Sequence, residues 1–197
     1  MNKRSMILMS AGLSLLLGGC ASSAMKDDGM SMQQGGMQES MKKGMPFGDA
    51  DSIAYSKQLW QALKQASLVG PSARPDRVYT GTHPHGAMLE TLSADLTVGG
   101  HRGEVLVKRN YGGPGITAGK VAADRAAWLK AVTVMYKREA GYDTDNQDWF
   151  WVKYTPDGGL FTNPKGMQLA GRVAKGMPQG CIACHKAAPG GDMLYTR

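Results

Sequence analysis

The chain of 197 residues has only three cysteines, Cys20, Cys181 and Cys184. Small exported scaffolds that lack a large core are held together by several disulfides, and three cysteines cannot supply such a framework. We therefore expect the folded part of the chain to be stabilised by a hydrophobic core and by any group that the cysteines bind.

The chain also lacks an apolar run long enough to cross a bilayer, which needs about 20 apolar residues. The apolar stretch Met6 to Leu17 follows Lys3 and Arg4 and leads into a Leu-Gly-Gly-Cys motif that ends at Cys20. This order is similar to a bacterial lipoprotein signal peptide with its lipobox. It predicts a signal peptide at residues 1–19, cleavage before Cys20 and lipidation of Cys20.

An ordinary secretory signal is the alternative, and both interpretations place the mature protein outside the cytoplasm. Ala21 stands directly after the cysteine, at a position where Asp favours retention in the inner membrane. In a Gram-negative cell the sequence therefore predicts a lipoprotein that is anchored in the outer membrane and faces the periplasm.

A dense block of Lys and Arg is missing as well. The formal charge of the whole chain is +7, and removal of Lys3 and Arg4 with the signal peptide lowers it to +5. A mildly basic, exported surface is compatible with acidic redox partners and argues against a nucleic-acid partner.

Residues 21–45 contain no aromatic and no β-branched side chain, so they cannot bury enough surface to fold. We predict that the lipidated segment 20–45 is a flexible tether and that residues 46–197 form one folded domain. Thioethers are soft ligands, so binding of copper(I) by the methionines of the tether is an alternative. These methionines are Met25, Met30, Met32, Met37, Met41 and Met45.

The domain begins with a helical pattern and continues with strand patterns. Asp49 or Asp51 can cap a helix over Ser52 to Ser67. Four later runs are rich in β-branched, aromatic or alternating residues and predict an antiparallel sheet. These runs are Met88 to Val98, Glu104 to Lys108, Ala131 to Tyr136 and Asp148 to Tyr154. With a short helix over Ala122 to Lys130, the predicted class is α+β, mainly antiparallel sheet with a few short helices.

The most informative run is Cys181-Ile182-Ala183-Cys184-His185. A C-x-x-C-H segment is typical of c-type haem attachment, in which two thiols form thioethers with the haem vinyl groups and the histidine binds the iron. A redox dithiol or half of a zinc site would be accompanied by a thioredoxin-like βαβ pattern or a second C-x-x-C, and the sequence has neither. We expect one covalently bound haem c near the C-terminus, anchored by Cys181 and Cys184, with His185 as the proximal iron ligand.

The second axial ligand is left open by the sequence. Met177 and Met193 lie too close to His185 along the chain to reach comfortably around the ring. His83 or His85 could bind a metal or the haem iron from the distal side, or could form a polar turn before the first long strand. An open sixth position is the third alternative.

Six segments follow a pattern that goes beyond the C-x-x-C-H motif. They are Val105 to Gly112, Val132 to Lys137, Gly141 to Asp143, Asp148 to Trp151, Gly180 to Lys186 and Asp192 to Arg197. Together they resemble the cytochrome P-460 and cytochrome c′-beta superfamily over about residues 50–197. The resemblance implies a mainly antiparallel β fold, usually dimeric, with a five-coordinate haem c. Cytochrome P-460 members oxidise hydroxylamine or nitric oxide, and c′-beta members bind nitric oxide and other diatomic gases beneath an apolar cap.

Within this resemblance, Lys108 matches a strand lysine that is cross-linked to a haem meso carbon in the P-460 branch. The alternative is a lysine that faces water or a haem propionate. Glu90 stands near the place where the characterised enzymes carry an arginine, so the chain departs from them there. Trp149 and Trp151 share one face of their strand and Phe150 takes the other, which suits either a distal pocket or core packing.

Three functions therefore remain open. The first is an oxidoreductase that acts on a small nitrogen compound and passes electrons to another cytochrome, which Lys108 favours. The second is a non-catalytic protein that binds nitric oxide, which the departure at Glu90 favours. The third is an electron carrier with a six-coordinate iron, for which His83 and His85 remain candidate ligands.

Overall fold

The computed structural model describes residues 45–195. The predicted signal peptide, the lipidation site Cys20 and all of the predicted tether except Met45 lie outside the described residues. The helices and strands are α1 (Ala50–Gln65), β1 (Tyr79–Thr80), β2 (Met88–Val98), β3 (His101–Tyr111), α2 (Ala118–Ala123), α3 (Arg125–Trp128), β4 (Leu129–Lys137), a 3-10 turn (Thr144–Asn146), β5 (Trp149–Tyr154), β6 (Ala170–Gly171) and α4 (Cys181–His185).

All six strands form one antiparallel sheet, whose spatial order follows the order of the chain from β1 to β6. Gly99 and Gly100, with φ of 58° and 84°, make the two-residue turn between β2 and β3. The sheet and its few short helices confirm the predicted α+β class. Strand β2 has the predicted bounds, whereas β3 extends beyond the predicted Glu104 to Lys108 at both ends.

Helix α1 covers one face of the sheet, which we call the helix face. The Asp49 carboxylate caps α1 by accepting a hydrogen bond from Ser52 N at 2.8 Å, as predicted for Asp49 or Asp51. Leu59, Trp60 and Leu63 of α1 pack against the sheet. The buried sheet residues of this cluster are Leu92, Leu96, Val98, Val105, Val107, Val132, Val134, Tyr136, Phe150, Val152, Tyr154 and Ala170. This apolar core holds the sheet in place, so the opposite face can carry other chemistry.

The predicted single helix over Ala122 to Lys130 is wrong, because the structure has two short helices that meet at Asp124. The Asp124 carboxylate accepts a hydrogen bond from Ala127 N at 3.1 Å and so begins a new helix. The last two residues of the predicted helix belong to β4, because Leu129 pairs with Tyr111 of β3.

Candidate functional site

The sheet face opposite α1 carries the C-x-x-C-H helix, and we call it the motif face. Its buried apolar residues are Phe47, Leu106, Met135, Trp149, Trp151, Val173, Ala174, Ile182 and Met193. Leu106, Met135 and Trp151 are direct cross-strand neighbours on β3, β4 and β5. Ile182 belongs to α4, so packing of α4 on these side chains places the motif over the sheet.

The three aromatic residues that begin β5 divide between the two faces as predicted. Trp149 and Trp151 lie in the motif-face cluster, and Phe150 lies in the helix-face cluster. The indole Nε1 atoms of Trp149 and Trp151 are buried without a hydrogen-bond partner. A buried donor without a partner is costly, so two on one face suggest that an acceptor is brought by another group.

His185 is buried, with 7% of its surface exposed, and its orientation is fixed by the backbone. Its Nδ1 lies 2.7 Å from the carbonyl oxygen of Met193. A carbonyl can only accept, so Nδ1 carries the proton and Nε2 has a free lone pair. Burial lowers the pKa of His185, opposed by the Met193 hydrogen bond and assisted by the charge of Lys108. A neutral imidazole with one nitrogen held by a carbonyl is the form that binds a metal.

The two thiols lie on the same short helix as His185. Cys181 and Cys184 are separated by three positions in α4, so they project to neighbouring places on one side of the helix. Both are free thiols; Cys181 is half-buried against the motif-face cluster and Cys184 is exposed. Gly180 precedes the helix with φ of 121°, and a Cβ there would lie 2.5 Å from the Ala174 Cβ. This close approach requires glycine and sets the direction in which the motif enters the site.

Lys108 points to the motif face, which is one of the two directions that strand alternation allowed. Its side chain is buried, with 9% of the residue exposed, and Nζ donates a hydrogen bond to Tyr195 O at 3.0 Å. Burial lowers the pKa of Lys108. The charge of Lys108 in turn contributes to the lowered pKa of both His85 and His185, so the three groups interact.

Residues 192–195, which we call the closing segment, connect these groups. Met193 O binds His185, Tyr195 O binds Lys108, and the Tyr195 hydroxyl donates to Cys184 O at 3.1 Å. Met193 has φ of 63°, a conformation that L residues rarely adopt and that directs its carbonyl at the imidazole. The Met193 side chain is itself buried among the apolar residues of the motif face.

His85 also reaches this site, whereas His83 is exposed. The ring centroids of His85 and His185 are 6.2 Å apart. Asn110 of β3, which the sequence analysis missed, binds His85: its Oδ1 lies 3.1 Å from His85 Nδ1. The sequence did contain a signal for this contact. Asn is depleted in strands, so an asparagine at the end of the strand pattern that begins at Val105 indicates a specific polar role for Asn110. Burial, more than the charge of Lys108, lowers the pKa of His85 to about 4.

A cavity of about 620 Å³ adjoins the site, between the closing segment and the first strands. Its lining includes Tyr79, Thr91, Leu106, Leu194 and Tyr195. Thr91 is the cross-strand neighbour of Lys108. The volume is in the range of sites for small molecules and cofactors, about 300–1,000 Å³.

The donor set on the motif face fits a haem c. It offers two thiols on one helical turn, a neutral imidazole with a free Nε2 and two indole donors without partners. Lys108 and Lys153 flank Thr133 in adjacent strands of this face and can pair with carboxylates such as haem propionates.

Glu90 lies outside this site. It pairs with Arg109, while the neighbouring pair on the motif face is Thr91 with Lys108, so Glu90 points to the other side of the sheet. It is fully buried and forms ion pairs with Arg109 at 3.3 Å and Arg125 at 2.8 Å. Burial alone would raise the pKa of Glu90, but hydrogen bonds from Tyr111 and Arg125 and the charge of Arg109 outweigh it, so the pKa is lowered.

Comparisons of the chain with protein-family models, curated proteins and solved structures found no significant match. The resemblance to the P-460 superfamily therefore depends on residue patterns alone. Within residues 45–195, no group of three or more His, Cys, Asp or Glu side chains is arranged to hold a metal ion by itself. In the same part of the chain, no helix has the length and apolarity needed to cross a membrane.

Proposed function

We propose that the chain is an exported, lipid-anchored c-type cytochrome of the P-460 type that oxidises or binds small nitrogen compounds. Hydroxylamine and nitric oxide are the proposed ligands, and as an oxidoreductase the protein passes the electrons to another cytochrome. The observation that carries the proposal is the arrangement of His185 Nε2, the two thiols of α4 and the buried amine of Lys108 on one sheet face.

In this proposal Cys181 and Cys184 hold one haem c through thioether bonds, and His185 binds its iron through Nε2. The bound haem supplies a redox-active iron at which a small nitrogen ligand can bind. Met193 O keeps the imidazole in one orientation and makes Nε2 a better donor. Trp151, whose ring centroid is 4.8 Å from that of His185, would shield the imidazole from water.

Lys108 is the residue proposed to favour oxidation over simple trapping. A cross-link would replace the meso C–H bond of the ring and one N–H bond of the amine by a carbon–nitrogen bond. It would release two protons and two electrons, so it would need an added two-electron oxidant such as a peroxide. The step would use the lone pair of the neutral amine, which burial favours. Tyr195 O holds Nζ at a fixed place at the edge of the motif-face cluster. A cross-link at a meso carbon would distort the ring and change its electronic properties.

The Cys20 lipid anchor, the periplasmic location, a partner cytochrome and a homodimer complete the proposal, and their support is the sequence pattern and the resemblance. A non-catalytic nitric oxide binder needs the same haem without the cross-link. An electron carrier with a six-coordinate iron is a second candidate, favoured by the position of His85 beside His185.

Mass spectrometry of the purified holoprotein after trypsin digestion tests attachment and cross-link together. Attachment predicts that peptide 176–186, which contains Cys181 and Cys184, carries one haem. A cross-link predicts that peptide 103–109, uncut after Lys108, is joined to it through the same haem. A 176–186 peptide without haem would overturn the proposal, and a haem peptide without 103–109 would favour gas binding or electron transfer.

The ferrous absorption spectrum with and without nitric oxide, followed by hydroxylamine turnover, tests the reaction. A strongly red-shifted Soret band that is lost in Lys108→Met, together with loss of turnover, is the expected result. Lys130→Met is the control, because Lys130 is an exposed lysine of β4 that takes no part in the motif-face site. An equal loss in both variants would contradict a specific role for Lys108.

A further inference from the structure

We propose that the cavity beside the closing segment binds the organic part of a substituted hydroxylamine, R–NHOH, whose nitrogen end lies beside Lys108. The inference rests on the proposed function, because it names the substrate class of the same site. Three features of the structure carry it: the size of the cavity, the distribution of polar and apolar groups in its lining, and the contacts that join one end of it to the motif face.

The cavity is much larger than hydroxylamine or nitric oxide requires. Its volume is about 620 Å³. A water molecule, which is similar in size to both compounds, occupies about 30 Å³ of the liquid. Within the part of the chain that the structure describes, Cys181, Cys184 and His185 do not line this cavity, so its wall is distinct from the proposed attachment site of the haem. A cavity of this size fits an organic molecule.

The lining has a charged mouth and an apolar floor. Asp76, Arg77 and Glu104 are exposed and so form the mouth. With two carboxylates and one guanidinium, the mouth favours a neutral or cationic amine over an anion such as nitrite. Leu106, with 5% of its surface exposed, and the half-buried Leu194 offer apolar contact to a carbon substituent. The lining therefore suits a molecule that has both an amine and an organic group.

A pair of hydroxyl groups also lines the cavity. The Tyr79 and Thr91 hydroxyl oxygens are 2.6 Å apart, and both residues are half-buried. One hydrogen is shared between the two oxygens, so the pair keeps a further hydrogen to donate and lone pairs to accept. An N-hydroxyl group likewise donates and accepts, so it is complementary to this pair, whereas nitric oxide has no hydrogen to donate.

The hydroxyl pair lies at the end of the cavity that adjoins the proposed site. Thr91 is the cross-strand neighbour of Lys108, and Ser93, further along β2, is the cross-strand neighbour of Leu106. Lys108 Nζ donates to Tyr195 O at 3.0 Å, and Tyr195 is itself part of the cavity wall. A ligand whose N-hydroxyl group is bound by the hydroxyl pair therefore has its nitrogen beside Lys108 and its substituent beside Leu106.

The reaction of this substrate class is a two-electron oxidation of R–NHOH to R–N=O. The N–H and O–H bonds break, and the nitrogen–oxygen single bond becomes a double bond. Two protons are released, and two electrons pass to two equivalents of the oxidised partner cytochrome of the proposed function. The hydroxyl pair and the carboxylates at the mouth give the protons a polar route to solvent.

Two measurements on the wild-type holoprotein test the inference. In calorimetry with two amines that have no N-hydroxyl group to oxidise, benzylamine should bind at least about 10-fold more tightly than methylamine, because its ring is buried against the cavity floor. With added ferric cytochrome c as electron acceptor, KM should be at least about 10-fold lower for N-benzylhydroxylamine than for hydroxylamine.

A variant that fills the cavity separates this site from the iron. Ser93→Trp adds an indole at an exposed position of the cavity wall. It should weaken benzylamine binding, and raise KM for N-benzylhydroxylamine, by at least about 10-fold each. KM for hydroxylamine and the absorption spectrum with nitric oxide should keep their wild-type values. Thr97→Trp, at an exposed position of the same strand outside the lining, is the matched control and should resemble the wild type.

Equal affinities of the wild type for benzylamine and methylamine would overturn the inference, and this result needs no variant. A Ser93→Trp protein with less bound haem or a changed spectrum would also overturn it, because the haem itself would then fill the cavity. A holoprotein that oxidises hydroxylamine but not N-benzylhydroxylamine would overturn the inference and leave the proposed function standing. Wild-type protein without covalently bound haem, judged by mass, would overturn the proposed function and this inference with it.

Discussion

The two faces of the same sheet differ in whether the buried polar groups of their strands have hydrogen-bond partners. On the helix face the sheet hydroxyls of Tyr136 and Tyr154 donate to backbone carbonyls, at 2.8 Å to His101 O and 2.6 Å to Ser56 O, although the hydroxyl of Tyr55 on α1 is buried without a partner. On the motif face the indole donors of Trp149 and Trp151 are buried without acceptors. The buried polar groups that the strands direct to the helix face therefore have partners there, whereas the two indoles that strand β5 directs to the motif face have none.

This difference indicates that the two faces of strand β3 have different roles, one in stability and one in the site. Val105 and Val107 face the helix side, while Leu106, Lys108 and Asn110 face the motif side. Stability is expected to depend on the first set and the spectrum of a bound haem on the second. Variants at neighbouring positions that point to opposite faces can therefore test the comparison.

The largest expected effect is at Phe150. Phe150→Ala removes a fully buried ring from the helix-face core and should cost about 3–5 kcal/mol of unfolding free energy, measured by urea denaturation. The spectrum of the protein that remains folded should not change. Lys57→Ala, at an exposed position of α1, should change stability by less than about 0.5 kcal/mol. A spectral change in Phe150→Ala would show that the two faces are not independent.

The next effect is at the buried ion cluster of Glu90. Glu90→Gln leaves Arg109 buried without its counter-charge and should cost about 3 kcal/mol at neutral pH in urea unfolding. Asp95→Asn, which breaks an exposed pair with Arg102 on the same two strands, should cost at most about 1 kcal/mol. Equal costs for the two variants would contradict the importance of burial.

The pH dependence of stability gives a second measurement at Glu90. Its folded pKa is below the ordinary value of 4.5, so its contribution is present above pH 4.5 and is lost as the pH falls through the folded pKa. Urea midpoints measured over this acidic range should fall more steeply for the wild type than for Glu90→Gln. Parallel curves would mean that another carboxylate dominates acid unfolding.

A smaller loss of stability is expected at Gly86. A methyl group there meets the backbone of Tyr111, so Gly86→Ala should cost about 1–3 kcal/mol and displace His85. The spectrum of a bound haem should change even though His85 itself is unchanged. Gly119→Ala in α2 has open space around the added methyl, and it should keep the wild-type spectrum with equal or slightly greater stability.

The smallest effect on stability is expected at Trp151, the neighbour of Phe150. Trp151→Phe removes a buried donor that has no partner and keeps most of the ring, so the cost should stay below about 1.5 kcal/mol. Because Trp151 contacts His185, the haem spectrum should nevertheless shift. An unchanged spectrum in this variant would place the haem elsewhere on the motif face.

The sequence was sufficient for the elements whose signals are local. The alternation over Met88 to Val98 predicted β2 with the correct bounds, and Asp49 was correctly included among the caps of α1. The direction of Lys108 could not be predicted, because every residue of 105–111 is buried and the strand shows no polar face. Strands β1 and β6, with two residues each, are too short to produce a periodic pattern.

The pairing of His85 with Asn110 lay beyond local patterns for a different reason. The two residues are separated by 25 positions and meet only because β2 folds back on β3. Similarly, the pattern over Ala122 to Lys130 does not reveal the break at Asp124, because an aspartate within a helical run can either lie inside one helix or cap a second one. The residues of the motif were predicted from spacing, and their haem chemistry stays a proposal.

The position of the closing segment has a consequence for the order in which the protein matures. Strands β1 to β6 precede Cys181 in the chain and pair with their sequence neighbours. The sheet can therefore form without the motif, since contacts between neighbouring segments form early. Tyr195, which bonds to Lys108 and to Cys184 O, depends on both the sheet and the motif for its partners. We expect haem to be attached to a sheet that has already formed. The hydrogen bonds of the closing segment to the sheet and to the motif should then form as the final step of assembly.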